Sequence, residues 1–251
     1  MTDDPLAPSD APRGYDLEVR HLKSRAVRMG EWSLQMVHDG WKAFDQGDVR
    51  LAQSVLDRNG VLDKLDDEME HATIAFLVLR QPAAVDLRTA AGLLKMTTHM
   101  DRIGRLGFDM CRITMPITGP RESPELRALL EKMDIVVESM VRQSLEGLDR
   151  DRVDLARDLF PRDDDVDRMH RQAQRMVIAE LGKNHAPAAR LASIVLVARH
   201  FERIADNACK IAEKTIYAIT GQRRAEYLPR RPPRLLYDEP PPGDPSPHRV
   251  R

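Results

Sequence analysis

The chain has 251 residues, room for one large domain or two small ones. Charged residues make up 31% yet sum to a net charge of −1, so the basic excess that a nucleic-acid partner needs is missing. No apolar run approaches the roughly 20 residues of a membrane span, and two cysteines, Cys111 and Cys209, imply no disulfide framework.

Aromatics are only 4%, while Leu, Ala, Met and Arg are abundant, the palette of helices with aliphatic cores. The opening stretch MTDDPLAPSDAPRG is polar, acidic and unlike a signal peptide, which points to a cytoplasmic location. Residues 1–14 and 222–251 are read as disordered tails. The second holds eight of the 17 prolines and too little apolar surface to offset ordering. Its RRPPR run has the character of a polyproline docking peptide or of a solubilising tail.

Between the tails the pattern is helical throughout, with no sustained period-two stretch. The first helix is expected over 16–44, ending before Gly47. The second spans 48–79, with a weak point at Asn59-Gly60. The third follows RQPAAVD and spans 85–113. TMPITGPRESPE is the clearest internal break. The fourth helix is expected over 124–148, the fifth over 151–181 with Pro161 as its weak point, and the sixth over 187–220. Long helices joined by short turns argue for antiparallel bundles. On the sixth helix, Ile194, Val195, Val197, Ala198, Phe201, Ile204, Ala205, Ala208, Ile211 and Ala212 form one apolar stripe, read as core.

Shifted by 101 residues, the chain matches itself without a gap. Asp66 falls on Asp167, and HMDRIGR at His99 falls on HFERIAD at His200. Even the weak points coincide, Gly60 with Pro161. A repeat of this length is a duplicated supersecondary unit, here of three helices. The fold class is therefore all-α, two tandem three-helix bundles, with the first at 15–117 and the second at 118–221.

In the second unit, Asp163 and Asp167 lie four residues apart on one helix, as do Glu202 and Asp206 on the next. That spacing sets each pair on one helix face, where like charges repel. If the helices are neighbours, four carboxylates converge, and desolvating them costs several kcal/mol each unless something neutralises them. Arg168, Arg171 and Arg203 are available, protonation is a second route, and a hard cation is a third. Spacing alone leaves a solvated charged face as the commoner outcome.

The doubled unit, ERIAD within HFERIADNACKIAE, and RQPAAVDLR between the second and third helices resemble the PhoU family, accessory regulators of bacterial phosphate transport. The resemblance covers roughly 16–221. It implies two three-helix bundles, each with E/D-xxx-D motifs that in some members hold iron or other metal clusters. Carried over, Asp163, Asp167, Glu202 and Asp206 are the metal ligands, with iron first and zinc, manganese or magnesium as alternatives. Asp66, Asp101 and His170 are weaker candidates. The family's role is repression of the phosphate-starvation response. Its implied partners are the ATPase subunit of the phosphate ABC transporter and a phosphate-sensing histidine kinase. A homodimer is expected, with membrane association only through partners and no nucleic acid.

The first unit departs from the motif. Leu62 stands where Asp163 falls, and Arg105 where Asp206 falls. An arginine facing two carboxylates neutralises them without an ion. The expectation is asymmetric: a metal patch in the second bundle, a salt-bridge network in the first, with Asp63 or Asp67 able to restore the first site. Glu68-x-x-His71 and Asp167-x-x-His170 have the spacing of di-iron bundles but stand at inequivalent positions of the repeat. An iron-storage or redox protein is the alternative reading. Cys209 is read as a small buried thiol, and His99 and His200 as packing residues. Asp86 suits a helix start, or RQPAAVDLR shapes a partner surface. Neither a Gly-rich phosphate loop nor a nucleophile elbow is present, so the chain is read as a binding protein rather than an enzyme.

Overall fold

The computed structural model describes residues 16–117, 120–182 and 187–228. The expected N-terminal tail and most of the C-terminal one, RRPPR included, lie outside those residues. The described residues form nine helices and no strand. The first unit holds α1 (Asp16–Gln46), α2 (Val49–Leu56), α3 (Asn59–Arg80) and α4 (Ala84–Arg112). The second holds α5 (Pro124–Asp149), α6 (Val153–Arg157), α7 (Leu159–Leu181) and α8 (Ala188–Thr220), followed by the single turn α9 (Arg224–Tyr227).

Local chemistry sets the ends. Gly47, at φ +67°, takes the left-handed conformation that closes α1, and Asp48 then caps α2 by accepting from the Leu51 N–H at 3.0 Å. Ser123 caps α5 with Pro124 in its first turn. Each second arm is two helices, not one, and the breaks, at 57–58 and at 158, fall just before the expected weak points, Asn59-Gly60 and Pro161, which stand in the first turns of α3 and α7. Pro161 sits in the first turn of α7, where its missing N–H would have had no helical partner. The tail boundary also moves. Residues 222–228 continue past α8, and Tyr227 packs on Phe160 with ring centroids 6.0 Å apart.

The two units share one core. Antiparallel α4 and α8 form the seam between them. His99 meets Asn207 at 2.9 Å, Thr215 reaches the Met96 sulfur at 3.7 Å, and the Arg88 Nε donates to the Ala218 carbonyl at 3.4 Å. Antiparallel α1 and α5 form a second seam. The far end is closed by Trp41, which meets Phe201 edge-on at 5.4 Å. There Arg190, fully buried, holds Glu122 through two 3.1 Å bonds, donates to the Phe44 carbonyl and stacks 4.1 Å over the Phe44 ring. The apolar stripe expected on the sixth helix is buried, Val195 only in part.

Within the first unit α1 and α4 touch backbone to backbone. A methyl on Gly107 would lie 2.5 Å from the Met36 carbonyl, and one on Gly40 would lie 2.4 Å from the Gly107 carbonyl. The repeat places Ala208 and Val141 at those two positions, so the second unit cannot close as tightly. Gly107→Ala is therefore expected to lower stability by about 3 kcal/mol, because backbone cannot yield as a side chain does. Gly60→Ala, whose methyl meets nothing within 4 Å, is the control and should be neutral or stabilising by up to about 1 kcal/mol. Urea unfolding followed by circular dichroism measures both; equal effects would show that the crossing is not tight.

Candidate functional site

The α7–α8 pair carries the four motif carboxylates of the second unit. Asp163 is buried, Asp167 and Glu202 are half-buried, and Asp206 is exposed. Burial pushes Glu202 up to about 7, and Asp206, Asp167 and Asp163 add to that rise against the pull of Arg199. The four groups therefore share one electrostatic environment. Arg199 donates to Glu202 Oε1 at 2.7 Å, whereas Oε2 is buried without a hydrogen bond. Asp163 and Asp167 each keep a further partner. Arg199, which is not among the arginines expected, meets Glu202 because it lies about one helical turn before it on the same face. Arg168 pairs instead with Asp165.

His170, also buried on α7, has an Nε2 without a partner. Burial, then Arg199 and Arg171, holds it down to about 4, so the ring is neutral near pH 7. Cys209 is the buried thiol expected, raised by burial and next by Asp163 and Asp206. Among the described residues, no three His, Cys, Asp or Glu side chains converge tightly enough to hold an ion as they stand.

In the first unit Arg105 does what its position implies. Its Nε donates to Asp101 at 2.7 Å and its Nη2 to Asp63 at 2.6 Å. The second carboxylate is thus Asp63, not Asp66. Asp66 is half-buried on α3 and raised by burial and then by Asp101. Leu62, in place of a carboxylate, is buried in the core beside Gly104. Asp67, Glu68 and His71 lie outside this network. Glu68 pairs with Arg25 and Lys64, and the His71 Nδ1 donates to the Asp67 carbonyl at 2.8 Å, so the di-iron spacing serves exposed surface contacts. His99 packs in the seam as expected, and His200 is half-buried with an unpartnered Nδ1.

Sequence reasoning missed a third acidic place. On α5, Asp134 sits on the inward stripe of Leu130, Met133, Val137 and Val141, a polar residue at a core position. Its Oδ1 is buried without a hydrogen bond. Beside it, His38 and Glu138 join α1 to α5 at 2.7 Å. Burial, with Glu138 next, pushes Asp134 up to about 7.

Two stacked copies of a three-helix unit, sharing one core and carrying paired carboxylates on their second and third arms, define a duplicated all-α protein. A PhoU domain matches residues 26–114 and again 130–215, and the chain belongs to the PhoU family. A phosphate-specific transport system accessory protein PhoU homolog from Clostridium acetobutylicum is 25% identical over 83% of this chain and 95% of its own length. The Pseudomonas aeruginosa homolog is 28% identical over 82% of this chain and 86% of its own. The crystal structure of PhoU from Pseudomonas aeruginosa superposes with a TM-score of 0.76 at 27% identity, over 83% of this chain and all of that one. The phosphate transport system regulatory protein PhoU from Streptococcus pneumoniae gives the same TM-score at 18% identity, over 83% of this chain and 98% of its own, a likeness of fold.

The Asp134 carboxyl has a pH signature. Its pKa is about 7 folded against 3.8 unfolded. Folding favours the protonated form, so the penalty is absent below pH 3.8, grows as pH rises and is complete above about 7. Asp134→Asn is expected to stabilise the protein by roughly 2–4 kcal/mol at pH 8 and hardly at all at pH 4. Urea midpoints at the two pH values measure this; a pH-independent effect would refute it.

Proposed function

We propose that this chain is an accessory regulator of phosphate uptake and of phosphate-starvation signalling. The observation that carries the reading is the doubled PhoU match, which spans both bundles and is followed by relatives along most of their length. The proposed mechanism is contact: the bundle faces bridge the ATPase subunit of a phosphate ABC transporter and a sensor histidine kinase, and so repress the starvation response. No helix among the described residues is long and apolar enough to cross a membrane, so the chain would reach membrane partners by docking.

The turn between α3 and α4 supports a contact role. Val78 and Leu79 are 67% and 75% exposed, and Val85 and Leu87 stand out on the next turn. Gln81 and Ala84 both take φ +46°, a conformation that costs non-glycine residues energy and fixes this RQPAAVDLR corner. Exposed apolar clusters of this kind suit protein partners.

The second-bundle patch is proposed to take a hard cation. Its donors are carboxylates, and the orphaned Glu202 Oε2 is an oxygen in need of a positive partner. Asp163, Asp167, Glu202 and Asp206 would hold the ion, with Asp206 free to turn because it is exposed. When bound, it would neutralise the patch and brace α7 against α8.

Deletion of the gene is expected to raise starvation-gene transcripts several-fold in phosphate-rich cells, and the wild-type gene should restore repression. Val78→Asp/Leu79→Asp should mimic the deletion while leaving the melting temperature within a few degrees. Unchanged transcripts in the deletion strain would contradict the regulatory reading.

A further inference from the structure

The end of the α4–α8 seam opposite Arg190 opens into a groove of about 470 Å³. Lys95 lines it from α4, Glu213, Lys214 and Tyr217 from α8, and Arg223 and Arg224 from the segment after α8. Its charge is unbalanced. Glu213 already takes two cations, Arg224 at 2.6 Å and Lys210 at 3.2 Å. The side chains of Lys95, Lys214 and Arg223 make no ion pair among the described residues, although the Arg223 backbone N–H donates to the Glu226 carboxylate at 3.0 Å. Like charges gathered around a concave wall repel, and low-dielectric walls intensify the field.

The repeat did not produce this charge. Shifting by 101 residues puts Leu196 at the Lys95 position, Ile113 at Lys214 and Asp109 at Lys210. The basic groove exists once per chain, at one end of an otherwise two-fold seam. Gly92 lies beneath it, where an added methyl would meet the Met96 side chain at 3.3 Å.

We propose that this groove binds a small, multiply charged phosphate-containing anion of the triphosphate type. Three unpaired cations around one cavity need several anionic centres on one molecule, more than a mono- or dicarboxylate carries. Arginine forks match pairs of phosphate oxygens, and lysines serve as point charges. The volume lies within the range of small-ligand sites. No Gly-rich loop is involved; side chains supply the charge. A nucleoside triphosphate and inorganic polyphosphate share this chemistry, and Tyr217 separates them, since only a base would lie against its ring. The inference is independent of the regulatory role proposed above and of the carboxylate patch.

Isothermal titration of the full chain with sodium tripolyphosphate, ATP, orthophosphate and an acidic peptide tests it. Tripolyphosphate or ATP should bind one to one, more tightly than orthophosphate or the peptide, and more weakly as salt rises. Lys95→Ala/Lys214→Ala should weaken binding tenfold or more, and Arg142→Ala on α5 should leave it unchanged. Loss confined to ATP in Tyr217→Leu would identify a nucleotide; equal affinities there would identify the inorganic chain. Should the double variant fail to fold, Arg223→Gln, in an exposed position, reads the same charge. Absence of binding by both triphosphates, unchanged affinity in the lysine or Arg223 variants, or tighter binding of the acidic peptide would overturn the proposal.

Discussion

Carboxylates brought together on neighbouring helices must be neutralised, and the two halves of this chain meet that requirement differently. In the first half an arginine stands inside the motif. Arg105 binds Asp101 and Asp63 at once, and the apolar Leu62 removes a further charge from the set. In the second half the motif is complete. Arg199 satisfies one oxygen of Glu202 and leaves the other buried and unpaired. In each half an arginine meets part of the motif and one carboxylate oxygen, Asp101 Oδ1 or Glu202 Oε2, stays buried without a hydrogen bond; what separates the halves is the set itself, with Leu62 and Arg105 where the second half has Asp163 and Asp206.

The same break in symmetry runs along the seam. The repeat alone would give matching ends to α4 and α8. Instead one end is sealed by Arg190, its paired Glu122 and the rings of Phe44, Trp41 and Phe201. Breaking such a buried pair from one side costs about 3–5 kcal/mol, since it strands the other charge. The opposite end is wider and basic. Packing makes the fold from two copies of one unit, and charge at the ends and on the carboxylate faces sets the copies apart.

Much of this was legible in the sequence because helices announce themselves by period and by their breakers. Gly47 marks an end that the structure keeps, and the expected helix start at 124 and end at 220 hold. The ungapped repeat predicted two bundles, and the stripe from Ile194 to Ala212 predicted the buried face of α8. Arg105 was legible too, since it occupies a motif position. Its partner Asp63 was not chosen over Asp66, because a long arginine reaches an acid one helical turn away from the one the register suggests. Arg199, Asp134 and the basic groove were harder to read. Each depends on which residues from distant helices meet, and the tail segment after Gly221, rich in arginine, reads as unstructured until Tyr227 finds Phe160.

The asymmetry of the two patches is the central claim, and metal content tests it most directly. Untagged wild type, Asp206→Ala and Arg105→Asp would be purified in parallel and analysed by inductively coupled plasma mass spectrometry. The account predicts bound metal in the wild type at a level set by one patch per chain, its loss in Asp206→Ala, and a higher content in Arg105→Asp, where the first patch gains its missing acid. A wild type without metal, an Asp206→Ala protein that retains it, or an Arg105→Asp protein with unchanged content would contradict it.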